Sequence, residues 1–168
     1  MNENLIYNLF NGEKSQIPLW FLRQAGRHIP EYYEIRKKQD NFIEFCLNKH
    51  LIVESTKLPL KYYDLDAAII FSDILMIPWA MRRNVRFLKN YGPTLDPMIP
   101  GETKIIKNIS IQSKLEPLKD SISILRLDIP KSISLIGFAG APWTLACYMI
   151  EGKGSKDFIK TRKALWSE

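Results

Sequence analysis

The sequence predicts an α/β fold in which parallel strands alternate with helices. Three short apolar runs, each suited to a buried strand, are separated by stretches in which apolar residues recur at helical spacing. This alternation is typical of parallel sheets with right-handed crossovers. The chain has 168 residues, 46% of them hydrophobic and 25% charged, which indicates a folded domain with a core. A closed eight-stranded β/α barrel needs roughly 250 residues, so this chain cannot form a complete one.

The first half of the chain contains two of the predicted strands and one long helix. Residues 17–22 are expected to form the first strand, ending in a polar loop. Apolar residues at helical spacing predict a helix over residues 43–58, which Pro59 limits. The second strand is expected over residues 67–71, and Asp73 follows it closely.

The second half begins with an irregular stretch. Proline and glycine are frequent in residues 78–101, which predicts an excursion with a hairpin. Apolar residues over 115–125 fall on one helical face. The third strand is predicted over residues 133–138, and a helix from Trp143 is expected to stop at Gly152. A last helix, capped by Ser155, is expected to follow.

The net charge is +6, and the excess of basic residues is spread along the chain. No dense tract of Lys and Arg occurs, so the sequence gives little support to a nucleic-acid or membrane partner. One local basic group is either a solvated face or a funnel for an anionic ligand. Its members are Arg82, Arg83, Arg86 and Lys89.

Cys46 and Cys147 each lie in an apolar run and are expected to be buried free thiols in a reducing compartment. With His28 and His50 they show no spacing typical of a metal site, and we predict no metal. The sequence shows no secretion signal and no apolar span of 18 residues. We therefore expect a cytoplasmic protein.

Polar residues follow each predicted strand, at the sheet edge where α/β folds place their sites. Arg23 and Arg27 flank a glycine after the first strand. Paired guanidinium groups suit a carboxylate or phosphate ligand, although one arginine pairing with Glu31 or Glu34 is an equally good interpretation. Asp73 is either a helix cap or a carboxylate directed into a site.

Three stretches together resemble the uroporphyrinogen decarboxylase family. They are Pro-Leu-Trp-Phe-Leu-Arg-Gln-Ala-Gly-Arg at 18–27 with Pro-Glu-Tyr at 30–32, Phe-Ser-Asp-Ile-Leu at 71–75, and Gly-Phe-Ala-Gly-Ala-Pro-Trp-Thr-Leu at 137–145 with Tyr148 and Glu-Gly at 151–152. The resemblance covers the whole chain but only about the N-terminal half of a family member. It implies parallel β/α units of a TIM-type (β/α)8 barrel, with residues 1–168 as the N-terminal portion of that single domain.

The resemblance also implies an activity. The family removes the carboxyl groups of the four acetate side chains of uroporphyrinogen III, giving coproporphyrinogen III in haem biosynthesis. It does so without a cofactor, because protonating a pyrrole carbon makes the substrate its own electron sink. The family further suggests a homodimer for the full-length protein.

Site residues follow from the same resemblance. Asp73 is implied to be catalytic, accepting pyrrole N–H groups and stabilising the cation that forms. Arg23 is implied to bind substrate carboxylates and is also a candidate proton donor. The substrate-binding residues implied are Arg23, Gln24, Ala25, Gly26, Arg27, Asp73 and Tyr148. From the helical pattern alone, Tyr148 also fits plain core packing.

The sequence departs from the family in three places. His28 stands where the family usually has tyrosine, and Arg-Arg-Asn at 82–84 replaces a stretch that often contains glycine. The later barrel strands, with the histidine and hydroxyl residue they supply, have no counterpart here. These departures leave two alternatives open: a truncated remnant that at most binds tetrapyrroles, and a metal-dependent methyl-transfer relative.

Overall fold

A computed structural model of the chain describes residues 3–14, 16–88, 91–98 and 110–166. The helices in these residues are α1 (Leu5–Phe10), α2 (Pro30–Lys37), α3 (Phe42–Leu47), α4 (Lys49–Lys57), α5 (Met76–Ala80), α6 (Ile111–Lys114), α7 (Glu116–Asp128), α8 (Pro142–Glu151) and α9 (Ile159–Trp166). The strands are β1 (Ala67–Ile69), β2 (Arg86–Leu88), β3 (Gly92–Thr94) and β4 (Ser134–Ile136). Within this part of the chain no helix has the length and apolar character needed to cross a membrane.

The chain divides into two compact units. The first comprises Met1–Ser72 and Glu116–Phe138, and the second comprises Asp73–Leu115 and Ala139–Glu168. The single barrel domain implied by the resemblance stays a prediction, and each unit is described by itself.

The first unit is built on a parallel pair of strands. β1 pairs with β4, with Ala67 opposite Ser134 and Ile69 opposite Ile136. Helix α7 precedes β4 and packs against α4. The α/β class and the parallel strands are thereby confirmed, and both strands lie inside the ranges expected from the sequence.

Two apolar clusters form the core of the first unit. One surrounds Phe45, which is fully buried, and contains residues from α2, α3 and α4. The other lies between the sheet and the helices, where Ile52 and Leu125 meet Ala68. Phe71, just beyond β1, contacts both clusters. The predicted apolar face of α7 is only partly used, because Leu125 is buried whereas Ile122 remains 41% exposed.

The helix predicted over 43–58 is two helices, α3 and α4, divided at Asn48. The backbone of Asn48 is extended, and its Oδ1 accepts hydrogen bonds from the backbone N–H groups of His50 and Leu51. A side-chain acceptor at this position starts a new helix. The expectation of one continuous helix is therefore wrong, whereas its end near Pro59 is confirmed, since the chain passes there into a short 3₁₀ turn over Leu58–Lys61.

The strand predicted over residues 17–22 is absent from the described residues. Ile17 is 93% exposed and Leu22 is 80% exposed. The segment makes one backbone hydrogen bond to the start of β1, from Asp66 N to Leu19 O, while Leu19 N donates to the Asp66 carboxylate instead. The segment is too weakly paired to form a ladder, so apolar character alone gave the wrong prediction.

The second unit joins a hairpin to the end of a helix. β2 and β3 pair antiparallel, which confirms the predicted hairpin. Just beyond β3, Leu95 N donates to Gly152 O. Gly152 ends α8 with φ +80°, a left-handed conformation that glycine adopts without strain. Ser155 Oγ accepts from Phe158 N, which lies before α9, so Ser155 does not cap that helix as expected; in the first turn of α9 the Thr161 N–H donates to Glu151 instead.

Both cysteines are buried and neither is in a disulfide, as the sequence predicted. Cys46 lies on α3 in the first unit, and Cys147 lies on α8 in the second.

Candidate active site

The first group of predicted site residues forms one loop of the first unit, residues 23–27. Arg23 and Arg27 are exposed, whereas Gln24 between them is buried. Beyond the loop, Ile29 N donates to Gly26 O, and the Ile29 side chain enters the core next to α2. The loop therefore turns back toward the core while it leaves both guanidinium groups at the surface.

Gln24 attaches this loop to the sheet. Its Nε2 donates to Ala67 O at 2.7 Å, and its Oε1 accepts from Ile69 N at 2.8 Å. Its predicted role in substrate binding stays a prediction.

Neither arginine of the loop has an ion pair among the described residues. The partners considered from the sequence are otherwise engaged: Glu34 pairs with Lys37 at 2.7 Å, and Glu31 accepts a hydrogen bond from the Tyr62 hydroxyl. The surface cations are thus available to an anionic ligand.

Tyr32, on α2, is a buried phenol. Burial raises the pKa of Tyr32, and the charges of Arg36 and Arg27 oppose that effect more weakly. Tyr32 packs at 5.8 Å, ring to ring, on Phe71. We interpret it as a core residue under the loop.

Asp73 begins the second unit and is half-buried. Its Oδ1 accepts from Leu75 N at 2.8 Å, and its carbonyl accepts from Met76 N at 3.2 Å, where α5 begins. Burial raises the pKa of Asp73, and the Leu75 N–H partly offsets the rise. Asp73 is not the cap of α5: the N-cap is Leu75, which makes no side-chain capping bond, and Asp73 uses one carboxylate oxygen to close the turn before the helix. The catalytic role of Asp73 stays a prediction.

The turn that holds Asp73 packs closely on the residues before α8. A Cβ on Gly140 would lie 3.2 Å from the Cβ of Ile74 and 2.5 Å from Cδ2 of Leu145. A side chain at position 140 would be too close to Ile74 and Leu145. The lack of one at Gly140 allows the 73–75 turn to approach the residues just before α8.

Tyr148 lies one helical turn before the end of α8 and is half-buried. Its carbonyl accepts from Gly152 N, and its hydroxyl has no hydrogen-bond partner in the part of the chain that the structure describes. Contact with a substrate therefore stays a prediction for Tyr148.

The basic group of the hairpin region is partly neutralised. Arg86 pairs with Asp96 at 3.2 Å, and Asn84 donates to the other oxygen of that carboxylate. Arg82 and Asn84 have positive φ values, 62° and 50°. Lys89 lies outside the described residues. At Arg86 the structure favours a surface on which the positive charge is neutralised by Asp96, rather than a positively charged path for an anionic ligand.

Thr56 is a supporting residue that the sequence reasoning missed. Its Oγ1 donates to Ile52 O and accepts from Phe71 N, and the residue is 1% exposed. It fixes the backbone just beyond β1. A hydroxyl residue among the apolar residues of α4 could have indicated a buried hydrogen bond, but nothing in the sequence identified Phe71 as its partner.

The described residues contain no group of three or more His, Cys, Asp and Glu side chains placed to hold a metal ion. His28 is exposed, and its ring lies 6.4 Å from that of Tyr63.

The family model described as "Uroporphyrinogen decarboxylase (URO-D)" matches residues 1–168. The chain belongs to the uroporphyrinogen decarboxylase family. Curated relatives named uroporphyrinogen decarboxylase include the Rickettsia africae protein, 43% identical over 161 residues, and the Nautilia profundicola protein, 43% identical over 159 residues. The Agrobacterium fabrum protein of the same name is 42% identical over 163 residues.

These matches cover nearly all of this chain but about half of each relative. The alignments span 96%, 94% and 96% of the chain, against 46%, 47% and 47% of the three relatives. The resemblance inferred from the sequence motifs is confirmed at the level of the family.

Proposed function

We propose that this chain provides part of a uroporphyrinogen decarboxylase, a lyase of haem biosynthesis. The reaction converts the four acetate side chains of uroporphyrinogen III to methyl groups, giving coproporphyrinogen III and carbon dioxide. The observation that carries the proposal is the family match across residues 1–168. In the same proposal the two units are β/α portions of a TIM-type barrel, the fold implied for the family.

Arg23 and Arg27 bind the carboxylates of the substrate in this proposal. Both are exposed and unpaired among the described residues, and both lie on a loop anchored by Gln24. Guanidinium groups bind carboxylates through paired, charge-assisted hydrogen bonds. A substrate with eight carboxylates has enough of them for several such contacts.

Asp73 accepts the pyrrole N–H groups and stabilises positive charge on the ring. A proton added to a pyrrole carbon makes the ring a cation, and the electron pair of the breaking C–C bond enters that ring as carbon dioxide leaves. A second proton, added to the exocyclic methylene carbon, then completes the methyl group, and the proton added first leaves the pyrrole carbon so that the ring regains its aromaticity. An aspartate suits the cation because its other oxygen already accepts the Leu75 N–H, which fixes the carboxylate.

Turnover tests the proposal directly. The polypeptide encoded by the native gene is incubated anaerobically with reduced uroporphyrinogen III, and the products are separated by their number of carboxyl groups. We expect stepwise loss of four carboxyl groups, and a decrease of at least about a hundredfold in Asp73→Asn. Unchanged turnover in that variant would remove Asp73 from the mechanism.

Binding without turnover is the outcome that favours the alternative, a remnant that only binds tetrapyrroles. Uroporphyrin, the stable oxidised octacarboxylate, reports binding by its fluorescence. A chain that binds uroporphyrin but never converts uroporphyrinogen supports the remnant, and a chain that does neither contradicts both functions.

Oligomeric state and location also stay proposals. The homodimer rests on the resemblance to the family, and the cytoplasmic location rests on the two buried cysteines that form no disulfide. Light scattering on the purified protein measures the first, and fractionation of the native cells measures the second.

A further inference from the structure

Gln24 lies between the two arginines in sequence but differs from them in its surroundings. Its side chain is 4% exposed, and both polar atoms of its amide are bonded to the backbone of β1. An amide buried and bonded in this way has little surface left for a ligand.

The bonds of Gln24 occupy a particular edge of β1. Ser134 N donates to Asp66 O, and Ile70 N donates to Ile136 O, so the carbonyl of Asp66 and the N–H of Ile70 face β4. Backbone groups alternate in direction along a strand, and those of Ala67 and Ile69 therefore face the opposite edge. There the Gln24 amide supplies the acceptor and the donor that a neighbouring strand would otherwise supply.

We propose that Gln24 is a positioning residue that holds the Arg23 and Arg27 guanidinium groups in register with β1. An amide is suited to this role because it presents a donor and an acceptor side by side. The role of the arginines in binding carboxylates rests on the proposed function, whereas the anchoring of the loop does not.

The loop has a second anchor at its far end. Ile29 is 2% exposed, and its N–H donates to Gly26 O at 3.1 Å. Residues 25–28 are thus bracketed by a buried amide and a buried isoleucine. Loss of the Gln24 anchor would make one end of this segment mobile. A ligand would then have to order the two arginines when it binds, which costs binding free energy.

Gln24→Met tests the anchor, because methionine keeps the approximate volume and removes both hydrogen bonds. Backbone hydrogen exchange measured by NMR provides a control within the same molecule: Ile69 N–H bonds to Gln24, whereas Ile70 N–H bonds to β4. We expect exchange at Ile69 and in residues 25–28 to become at least about tenfold faster, with Ile70 little changed. Equal acceleration at Ile69 and Ile70 would indicate general loosening of the sheet and would overturn the proposal.

Affinity for uroporphyrin tests the consequence for the arginines. We expect Gln24→Met to bind at least about fivefold more weakly than wild type. Ser134→Ala is the matched control, since it removes a side-chain hydrogen bond to Asn4 from the same sheet but not from the loop. A similar decrease in Ser134→Ala would overturn a specific role of Gln24.

Gln24→Glu gives a pH signature that a merely structural role would not produce. A protonated carboxyl donates to Ala67 O and accepts from Ile69 N, whereas an ionised one has no donor and faces a carbonyl. Burial raises the pKa of such a carboxyl, so the anchor is present at low pH and lost as pH rises through that value. We expect the affinity of Gln24→Glu relative to wild type to fall between roughly pH 5 and 8. A ratio that does not change with pH contradicts the anchor.

The two proposals fail in different ways. If wild type binds no uroporphyrin, the proposed function fails while the exchange data still decide whether Gln24 anchors the loop. If wild type binds uroporphyrin and Gln24→Met binds equally well, with unchanged exchange at Ile69, Gln24 is no positioning residue. If Gln24→Met does not fold, Gln24→Glu at a pH above the pKa of its carboxyl, where the anchor is lost, replaces it in both measurements, with the same variant at low pH as the control.

Discussion

At the scale of single residues, Asp73 combines a structural contact with an electrostatic cost. One oxygen accepts the Leu75 N–H in the turn before α5, and burial raises the pKa of the carboxyl. A residue whose charge is disfavoured in the folded state lowers stability at neutral pH, which is common at functional sites. This loss of stability is what we expect if the carboxylate of Asp73 is kept because its negative charge is needed for function.

Asp73→Asn is therefore expected to raise the free energy of unfolding at pH 7. Asparagine keeps an acceptor for Leu75 N–H and removes the buried charge. Because the folded pKa is raised, the penalty in wild type is present above that pKa and disappears as pH falls toward the ordinary value of 3.8. Urea unfolding of both proteins at several pH values measures the difference. A variant that is less stable than wild type at pH 7 contradicts this explanation.

Gly140→Ala is expected to lower the free energy of unfolding by about 1–3 kcal/mol. The new Cβ would lie 2.9 Å from Cγ of Leu145 and 3.2 Å from the Cβ of Ile74, so the Leu145 side chain and the 73–75 turn would have to shift. Gly154→Ala in the same unit is the control, because a Cβ there meets no atom within 4 Å. Urea unfolding gives both values. Equal stabilities for the two variants would show that the contact with Leu145 is relieved at no cost.

Candidate site residues could be named from the sequence, but their contacts could not be predicted from it. The motif around Arg23 indicated a substrate loop, yet nothing in it showed that Gln24 turns inward to β1. The bond partners lie 43 and 45 residues away in the chain. Such contacts depend on tertiary packing, which local patterns do not contain.

At the scale of secondary-structure elements, the wrong predictions have local physical causes. Asn48 divided an apolar pattern that was continuous at helical spacing, because its side chain caps α4. The segment 17–22 has the apolar composition of a buried strand, but one backbone bond to Asp66 does not make a ladder. Strands β1 and β4 were predicted correctly, since each lies within a short apolar run between helices.

The carboxylate of Glu151, at the end of α8, forms hydrogen bonds to α9. Its Oε1 accepts from the backbone N–H of Thr161 at 2.9 Å and from the Thr161 hydroxyl at 3.1 Å. The bond from Thr161 N–H is the main reason that the pKa of Glu151 is lowered from 4.5. Thr161 itself is 1% exposed.

Glu151→Ala is expected to speed backbone hydrogen exchange in the first turn of α9, while Glu151→Gln, which keeps an acceptor, changes it less. A lowered pKa means that the contribution of Glu151 is present above pH 4.5 and is lost as pH falls through the lowered value. The difference between wild type and Glu151→Ala should therefore shrink in acid. A difference that persists unchanged at low pH would contradict a role for the carboxylate.

At the scale of the whole molecule, family membership could be read from three motifs in the order in which the family has them. The chain spans about half the length of the curated relatives it matches, so what each unit does in a complete enzyme is proposed rather than observed. The arginine loop lies in the first unit, and Asp73 and Tyr148 lie in the second.

The central claim is that Arg23 and Arg27 are the groups that bind the carboxylates of a tetrapyrrole. Both are exposed, and neither has an ion pair among the described residues. Arg126, on α7 of the same unit, is also exposed and provides a control with the same change in net charge.

Uroporphyrin binding, followed by fluorescence at low and high salt, tests this claim most directly. We predict that Arg23→Gln and Arg27→Gln each weaken binding at least about tenfold and reduce its dependence on salt, whereas Arg126→Gln leaves both nearly unchanged. Equal weakening in all three variants would mean that the net charge of the chain, rather than this loop, attracts the tetrapyrrole, and would contradict the claim.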